Sequence, residues 1–585
     1  MSLRRSIQAA TFVLTVAGTA AAQSPAAAVG PADLLVDTTR PGTTLHLEYW
    51  GNISRLPALV LVSDSADLER KSRDPQYVDA LKRYLRARYP LFNRFRVGNL
   101  FFGYDCAGWH FKELAVRDTH GNIQYQFEET IRMLDMLVRA GIRPSLALTG
   151  LPKTLVPATE QPISHPVYGC VNAPQIDWSK TEPRDRARDW WNLQAAFFRA
   201  LIDHFGLAEV KQWEFATWTE PYNAVRNHDS HLVVSRESAD DAHYDAAVAT
   251  ILATSIDAAM QAGLPIHIGN FAGDVRRDYP RVIAEILRLP KGREYLDYIT
   301  GFALSVYRVN RAQSFAAQLD ANFSLGRSSA MPRKPIFLDE FGELVDDFGA
   351  KPPRNVVGLE AGGTVALVLQ KAYFFQDGSA SAPSRVAFWD LSVASRQRAD
   401  LSNAEEFIPS AATNVARLFA PLNGKRKLVV EGARANLIAA SGAGEVYLVA
   451  TGERVPTCNR AAGGPPGAVK VRLTGLKKQA KYRVDIASVG AESGNPVSVF
   501  LQGAPSYLCA PDAFALSKGE WLFASPEREH CFYEDQHVCS WRAQAKAHSL
   551  PRSVTSALRT DETGALTISL SPEPGGTSAA LLRED

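Results

Sequence analysis

The chain has 585 residues, which at roughly 150 per domain allows three or four units, or fewer if one of them is a large barrel. With 46% hydrophobic, 9% aromatic and 22% charged residues it can bury a sizeable core, which excludes a disordered or collagenous chain. Lys+Arg 64 against Asp+Glu 62 leave a formal charge of +2, so no bulk field gathers nucleic acid or an anionic membrane surface.

Residues 1–22 read as a Sec-type signal: Arg4 and Arg5, a mostly apolar run over 9–17, and the small-residue site Ala20-Ala21-Ala22 before Gln23. That run is too short to span a bilayer and no later stretch reaches about 18 uninterrupted apolar residues, so a soluble, exported protein is expected, periplasmic or secreted. Six cysteines (Cys106, Cys170, Cys458, Cys509, Cys531 and Cys539) are an even number in an oxidising compartment, which favours disulfides, with Cys531 and Cys539 the nearest local pair. No C-x-x-C or H-x-x-x-H spacing supports a zinc site, and neither a metal nor a cofactor is expected.

Next, 34–49 contains Thr43-Thr44-Leu45-His46-Leu47-Glu48-Tyr49, an alternating strand that does not read as part of a βα unit. From about 92 to 392, short apolar runs at 95–102, 144–149, 212–217, 266–270, 298–307, 335–339 and 385–390 alternate with segments of helical spacing at 127–140, 184–205, 240–262, 312–322 and 364–375. This rhythm predicts a parallel sheet, with an eighth strand hidden in 156–178. No G-x-G-x-x-G follows the first run, so a (β/α)8 barrel is favoured over an open doubly wound sheet. Beyond 392 the period becomes two, with strands at 427–430, 436–440, 445–450, 469–473, 482–486, 497–501 and 566–570 separated by Gly, Pro and Asn turns. The expected organisation is a signal at 1–22, an N-terminal strand within 23–50 packing on a C-terminal antiparallel β-sandwich at 396–585, and an α/β catalytic barrel at 51–395.

Reactive side chains in a barrel sit where strands end. Glu220 ends the apolar run Trp213-Glu214-Phe215-Ala216-Thr217-Trp218-Thr219-Glu220-Pro221, and Pro221 stops further helix or sheet. Glu340 follows Pro335-Ile336-Phe337-Leu338-Asp339. Two strand-end carboxylates suit glycosidic bond cleavage, where one group protonates the leaving oxygen and another supports the oxocarbenium-like transition state. Taken singly, Glu220 is equally readable as a loop acid and Glu340 as an acid at a helix N-terminus.

Residues 213–223 resemble the acid/base segment of clan A glycoside hydrolases, and 205–215, Phe-Gly-Leu-Ala-Glu-Val-Lys-Gln-Trp-Glu-Phe, resembles family 39 and the α-L-iduronidases within it. The segment 335–340 followed by Leu344-Val345 is similar to the nucleophile segment of the same group, as are Val36-Asp37 and 508–512 to its accessory module. The resemblance implies a retaining, exo-acting hydrolase of an oligo- or polysaccharide, in which Glu340 attacks the anomeric carbon and Glu220 is general acid and then base. It implies carboxyl groups about 5 to 5.5 Å apart and a proton held on Glu220 at rest beside an ionised Glu340.

The same resemblance points to substrate-binding roles for Arg96, Thr219, Tyr307, Arg308 and Asp390. Thr219 stands where the family has Asn, and a hydroxyl replaces one amide function but not both. Tyr307 and Val309 stand where iduronidases carry His and a carboxylate-binding Lys, leaving Arg308 or Arg311 to meet a uronate. Trp218 and Trp389 are candidates to stack on a sugar or to fill the barrel rim, while His110, His165 and His267 form no spaced cluster and carry no role. The alternatives are a β-xylosidase-like or polysaccharide-cleaving hydrolase on another sugar, and a carbohydrate-binding protein without catalysis.

Overall fold

The structure, a computed structural model, describes residues 34–53, 56–88, 91–98, 100–101, 110–156, 174–221, 241–271, 275–308, 324, 331–345, 354–355, 358–375, 385–389, 408–432, 436–452, 468–491, 493–496, 542–573 and 575–585. The signal segment, all six cysteines, the proposed strands at 156–178 and 497–501 (but for the ends of the former), Asp390 and Arg311 lie outside those residues.

The chain enters through β1 (Leu34–Thr44) and then contributes β2 (Glu48–Ile53), β3 (Arg94–Val97), β4 (Arg143–Ala147), β5 (Glu214–Ala216), β6 (Ile268–Phe271), β7 (Phe302–Arg308), β8 (Ile336–Val345) and β9 (Arg385–Trp389). From β2 onward these are parallel, ordered β5-β4-β3-β2-β9-β8-β7-β6, and a bridge between Ala216 and His267 joins the two ends. Chain order is thus followed around a barrel-like sheet of eight strands. Helices such as Glu128–Arg139, Arg188–Phe205, Asp241–Ala262, Val275–Arg288 and Gly358–Phe375 lie between them. Glu128–Arg139 turns Met133, Leu134, Met136 and Leu137 inward, as the spacing of its apolar residues requires.

The expectation for 34–49 is corrected. Only β1 belongs with the C-terminal sheet, while Glu48 already starts the first barrel strand, paired with β9 and β3. Thr44 and Glu48 are too few residues apart for alternation to mark the change of sheet. The eighth barrel strand is therefore β2, which removes the need for a hidden strand in 156–178.

The second sheet adds β10 (Arg426–Glu431), β11 (Leu437–Gly442), β12 (Glu445–Thr451), β13 (Val469–Thr474), β14 (Lys481–Val489), β15 (Arg552–Arg559), β16 (Leu566–Leu570) and β17 (Thr577–Glu584). Its order is β15-β14-β17-β12-β11-β10-β1-β13-β16, antiparallel except where β1 runs parallel to β13. β15 and β17 were not among the predicted strands. β16 and β17 lie six places apart in this order, about 29 Å in a flat sheet. Residues 571–576 join them and the two strands touch, so the sheet folds over itself around a common apolar core. The hydrogen-bonded strands thus form one continuous order whose two ends share a core.

The two bodies meet along helices Gly358–Phe375 and Ala411–Phe419. Ser410 caps the second through Thr413 N, and Asn414 reaches the carbonyls of Gly494 and Ser549 at 3.0 and 2.8 Å. The Tyr373 hydroxyl donates to Ala439 O and that of Tyr447 to Leu418 O, both at 2.7 Å, tying each helix to the second sheet.

Candidate active site

An alternating strand sends consecutive side chains to opposite faces, yet Asp339 and Glu340 both reach the inside of the barrel. The pairing of β8 shifts register between Leu338 and Glu340 against β7, and between Leu338 and Phe341 against β9. This irregularity at Asp339 re-aims the second acid inward. The carbonyl it displaces is not lost, because Asn52 Nδ2 donates to Asp339 O at 2.8 Å.

Arg96 on β3 lies between these acids and the Glu220 segment, with no exposed surface. Its Nη1 donates to Glu340 Oε1 at 2.5 Å and to Asn52 Oδ1 at 3.5 Å. Nη2 donates to Thr219 Oγ1 at 3.0 Å and to Asn270 Oδ1 at 2.6 Å, while Nε stands 3.5 Å from Asp339 Oδ2. A guanidinium has five donors in a rigid fork, and here they face five side chains from four strands or strand ends. Glu340 Oε2 also receives the Ser305 hydroxyl from β7 at 3.4 Å.

The acid on the other side sits in an unusual backbone. Glu220 has φ 48°, the left-handed region that costs a residue with a Cβ roughly 1–3 kcal/mol unless its surroundings hold it. Bonds to neighbouring elements hold this segment. Gly269 N donates to Thr217 Oγ1 at 2.8 Å, Thr219 N to Thr149 Oγ1 at 2.8 Å, Glu220 N to Asn270 O at 2.7 Å, and the Tyr244 hydroxyl to Pro221 O. A Cβ on Gly269 would lie 2.3 Å from Trp218 O, so only glycine lets β6 approach this closely.

Beneath Glu340 runs a second charged tier. His267 Nε2 lies 2.9 Å from Asp339 Oδ2, and Arg385 Nη2 is 3.1 Å from Asp339 Oδ1. Arg385 Nη1 approaches Glu214 Oε2 at 3.6 Å, and its guanidinium carbon lies 3.9 and 3.7 Å from the ring centroids of Trp50 and Phe337. Burial would raise Asp339, but His267, Arg385 and Arg96 outweigh it and hold the carboxyl well below the usual carboxylate range. Burial, aided by Arg385, pushes His267 down against the pull of Asp339. With the imidazole neutral, Nε2–H is the donor to Asp339, since a carboxylate only accepts.

Of the residues expected in the site, Glu340, Arg96 and Thr219 come together in one bonded cluster, and Glu220 adjoins it through its backbone. The backbones of Tyr307 and Arg308 end β7 beside Gly342 and Glu343, with side chains outside the described residues, as is that of Trp389. Trp218 is fully buried with its ring edge-on to Trp190, 5.2 Å between centroids, so it fills the barrel wall and offers no face to a sugar. Asn52, Asn270, Ser305, His267 and Arg385 were not foreseen as site residues. Each is a single polar residue in or beside an apolar strand, and the only signal was that a polar group buried there needs a partner. Among the described residues no group of three His, Cys, Asp or Glu has a geometry that could hold a metal ion, and no helix is long and apolar enough to cross a membrane.

Residues 96–266, from the site arginine to just before the strand that carries Asn270, match the family model described as glycosyl hydrolases family 39. A β-xylosidase of Caldicellulosiruptor saccharolyticus is 25% identical over 116 residues, which are 20% of this chain and 21% of the relative. The match thus spans about a fifth of that protein. The GH39 enzyme from Xanthomonas axonopodis pv. citri superposes with a TM-score of 0.61 at 14% identity, covering 95% of this chain and 98% of that one. The bacterial orthologue of human α-L-iduronidase gives 0.58 at 13% identity over 94% and 84%. These likenesses establish a shared fold, a mixed α/β architecture with a barrel-like parallel sheet and a second sheet. Over residues 96–266 the chain is thus similar in sequence to the glycosyl hydrolases of family 39.

Proposed function

We propose that the chain is a retaining, exo-acting glycosidase resembling the α-L-iduronidases, with Glu340 as nucleophile and Glu220 as general acid/base. The observation that carries this reading is the double grip on Glu340: Arg96 takes Oε1 at 2.5 Å and Ser305 faces Oε2 at 3.4 Å. A carboxylate held at both oxygens cannot rotate freely, which is what an in-line attack on an anomeric carbon needs. The C–O bond to the leaving group breaks as the Glu340–sugar bond forms, and Glu220 delivers its proton to the departing oxygen. Water then adds to the glycosyl–enzyme with Glu220 as base. Thr219 accepts from Arg96 at 3.0 Å, which leaves its hydroxyl hydrogen for a sugar hydroxyl.

A second reading, a β-xylosidase-like hydrolase, is favoured by the name of the partial relative and by Val309 where a carboxylate-binding Lys is absent. Aryl α-L-iduronide, β-D-xyloside and α-L-arabinoside separate the two by their relative turnover. Failure on all three supports a binding protein without catalysis. Glu340→Gln removes the group to be glycosylated, whereas Glu220→Gln leaves one that azide can release from an activated substrate. Azide is expected to give a glycosyl azide of retained configuration with Glu220→Gln and, where it rescues Glu340→Gln, one of inverted configuration; the reverse pattern rejects the assignment.

The same reading includes a (β/α)8 barrel at the catalytic centre, a sandwich-type accessory module, Tyr307, Arg308 and Asp390 in the sugar pocket, and export after Ala22 with at least one disulfide among the six cysteines. Intact mass after alkylation, with and without reductant, tests export processing and pairing together.

A further inference from the structure

Asn270 binds the backbone of one candidate carboxylate residue and, through Arg96 and Ser305, reaches the side chain of the other. It is fully buried on β6, so it does not meet a substrate. Its backbone carbonyl receives Glu220 N at 2.7 Å, at the very residue whose φ is 48°. Its side chain faces the other way. Oδ1 accepts Arg96 Nη2 at 2.6 Å, and Nδ2 donates to Ser305 Oγ at 2.5 Å. Arg96 and Ser305 are in turn the two groups that hold Oε1 and Oε2 of Glu340.

The direction of each bond is determined by the chemistry. An amide has an acceptor oxygen and a donor nitrogen on one rigid plane, so it takes an N–H from Arg96 and gives one to Ser305 without ambiguity. Ser305, having accepted, has its own hydrogen left for Glu340 Oε2. No other uncharged side chain of that size supplies both functions: Asp lacks the donor, and Ser or Thr would have to serve both partners through one oxygen. Gly269 reinforces the placement, because its missing Cβ lets β6 close on Trp218 O and sets the adjacent Asn270 at this spot.

We infer that Asn270 is a positioning residue that couples the two carboxylates, orienting Glu340 through Arg96 and Ser305 while its carbonyl anchors the strained backbone of Glu220. The inference rests on the glycosidase reading for its activity readout, and its effect should fall on kcat, because the two acids act on bonds being made and broken and not on the resting sugar.

Asn270→Ala keeps the carbonyl and removes the amide. One hydrogen bond to a charged group is worth about ten- to a hundredfold, so kcat should fall by that factor with KM little changed. Asn270→Asp has the same shape, loses the donor to Ser305 and sets a third anion against Arg96 beside Glu340 and Asp339, and should fall at least as far; it decides the matter if the alanine variant does not fold. Ser305→Ala should cost less in the Asn270→Ala background than alone, since both act through one relay. A wild-type kcat in either Asn270 variant, or losses that multiply independently, overturns the inference while leaving the glycosidase reading intact. If the wild-type protein turns over no glycoside, that reading fails, and crystal structures of Asn270→Ala and Asn270→Asp then decide: Arg96, Glu340 and Ser305 unmoved in both would overturn the coupling.

Discussion

The two sheets of this molecule fill their interiors with opposite materials. Inside the nine-stranded sheet lie Leu34, Val36, Leu448, Val471, Val484, Ile568 and Leu582, and the charged residues stay at its surface, as in the ladder from Lys425 through Glu445 to Arg583. Inside the barrel-like sheet Arg96, His267, Asp339, Glu340 and Arg385 are all buried. Apolar packing alone makes a sheet stable. Burying five ionisable groups does not, because desolvation offsets most of their attraction, so such a cluster marks a place where the chain gives up stability to hold chemistry in position.

The largest expected effect comes from breaking the barrel cluster at its centre. Arg96→Met leaves Glu340 and Asp339 buried without the guanidinium, and removal of one partner from a buried pair costs about 3–5 kcal/mol. Turnover should fall by more than a thousandfold, since the same group orients the attacking carboxylate, and Arg96→Lys should rescue little because an ammonium cannot reproduce the fork. Denaturant midpoints and turnover of the two variants check this; a stable, active Arg96→Met would remove the basis of the contrast.

In the other sheet the equivalent lesion is a cavity. Leu448 is wholly buried on β12, and Leu448→Ala should cost roughly 2–5 kcal/mol. The cost should be the same at high and low salt, and kcat should be untouched in the protein that remains folded. A salt-dependent loss, or a fall in kcat at full folding, would mean that the sheet is electrically or mechanically part of the site.

Acid separates the regions further. The folded-state pKa of His267 lies below its unfolded value of about 6.5, so below that pH the unfolded chain binds a proton the folded chain refuses. Stability is therefore complete above about pH 7 and falls as pH drops through this window. Asp339 is likewise depressed, and adds a second loss below about pH 4, where the unfolded carboxyl takes up its proton first. Unfolding free energy followed from pH 8 to 3 should show both steps in the wild type, His267→Asn should shrink the upper one to the share of His110, whose imidazole burial pushes down to about 4, and Leu448→Ala should keep both.

How far the sequence disclosed this arrangement follows from the same physics. Glu220 was legible because an apolar run, then an acid, then Pro221 is a strand end with a reactive group on it, whereas Glu340, expected just after a strand, lies within β8, which runs on to Val345. Asn270, Ser305 and Arg385 were not legible, since their meaning lies in partners 35 to 174 residues away, such as Ser305 for Asn270 and Arg96 for Asn270. The inward turn of both Asp339 and Glu340 depends on a register shift that pairs only with β7 and β9 in place. The start of β2, Glu48 to Trp50, was assigned to the wrong sheet because alternation marks a strand but not its neighbours. The family resemblance supplied Arg96, and the structure adds the company it keeps.

The smallest expected effect tests whether the surface ladder is only surface. Glu445 accepts Lys425 Nζ at 2.7 Å and Arg583 Nε at 2.8 Å, joining β12 to β17 across their paired registers. Its side chain retains a quarter of its exposure, so water and salt compete for both contacts. Exposed pairs of this kind contribute about 0–1 kcal/mol, and a shared carboxylate gives less than twice one pair because the two cations repel each other. Glu445→Gln keeps the shape and one acceptor oxygen, and should lower stability by less than about 1 kcal/mol at low salt, with the difference vanishing near 1 M salt. Urea midpoints at two ionic strengths read this directly. A loss as large as that of Leu448→Ala, persisting in high salt, would mean that the second sheet also depends on fixed charge, and the division between an apolar accessory body and a charged catalytic one would no longer hold.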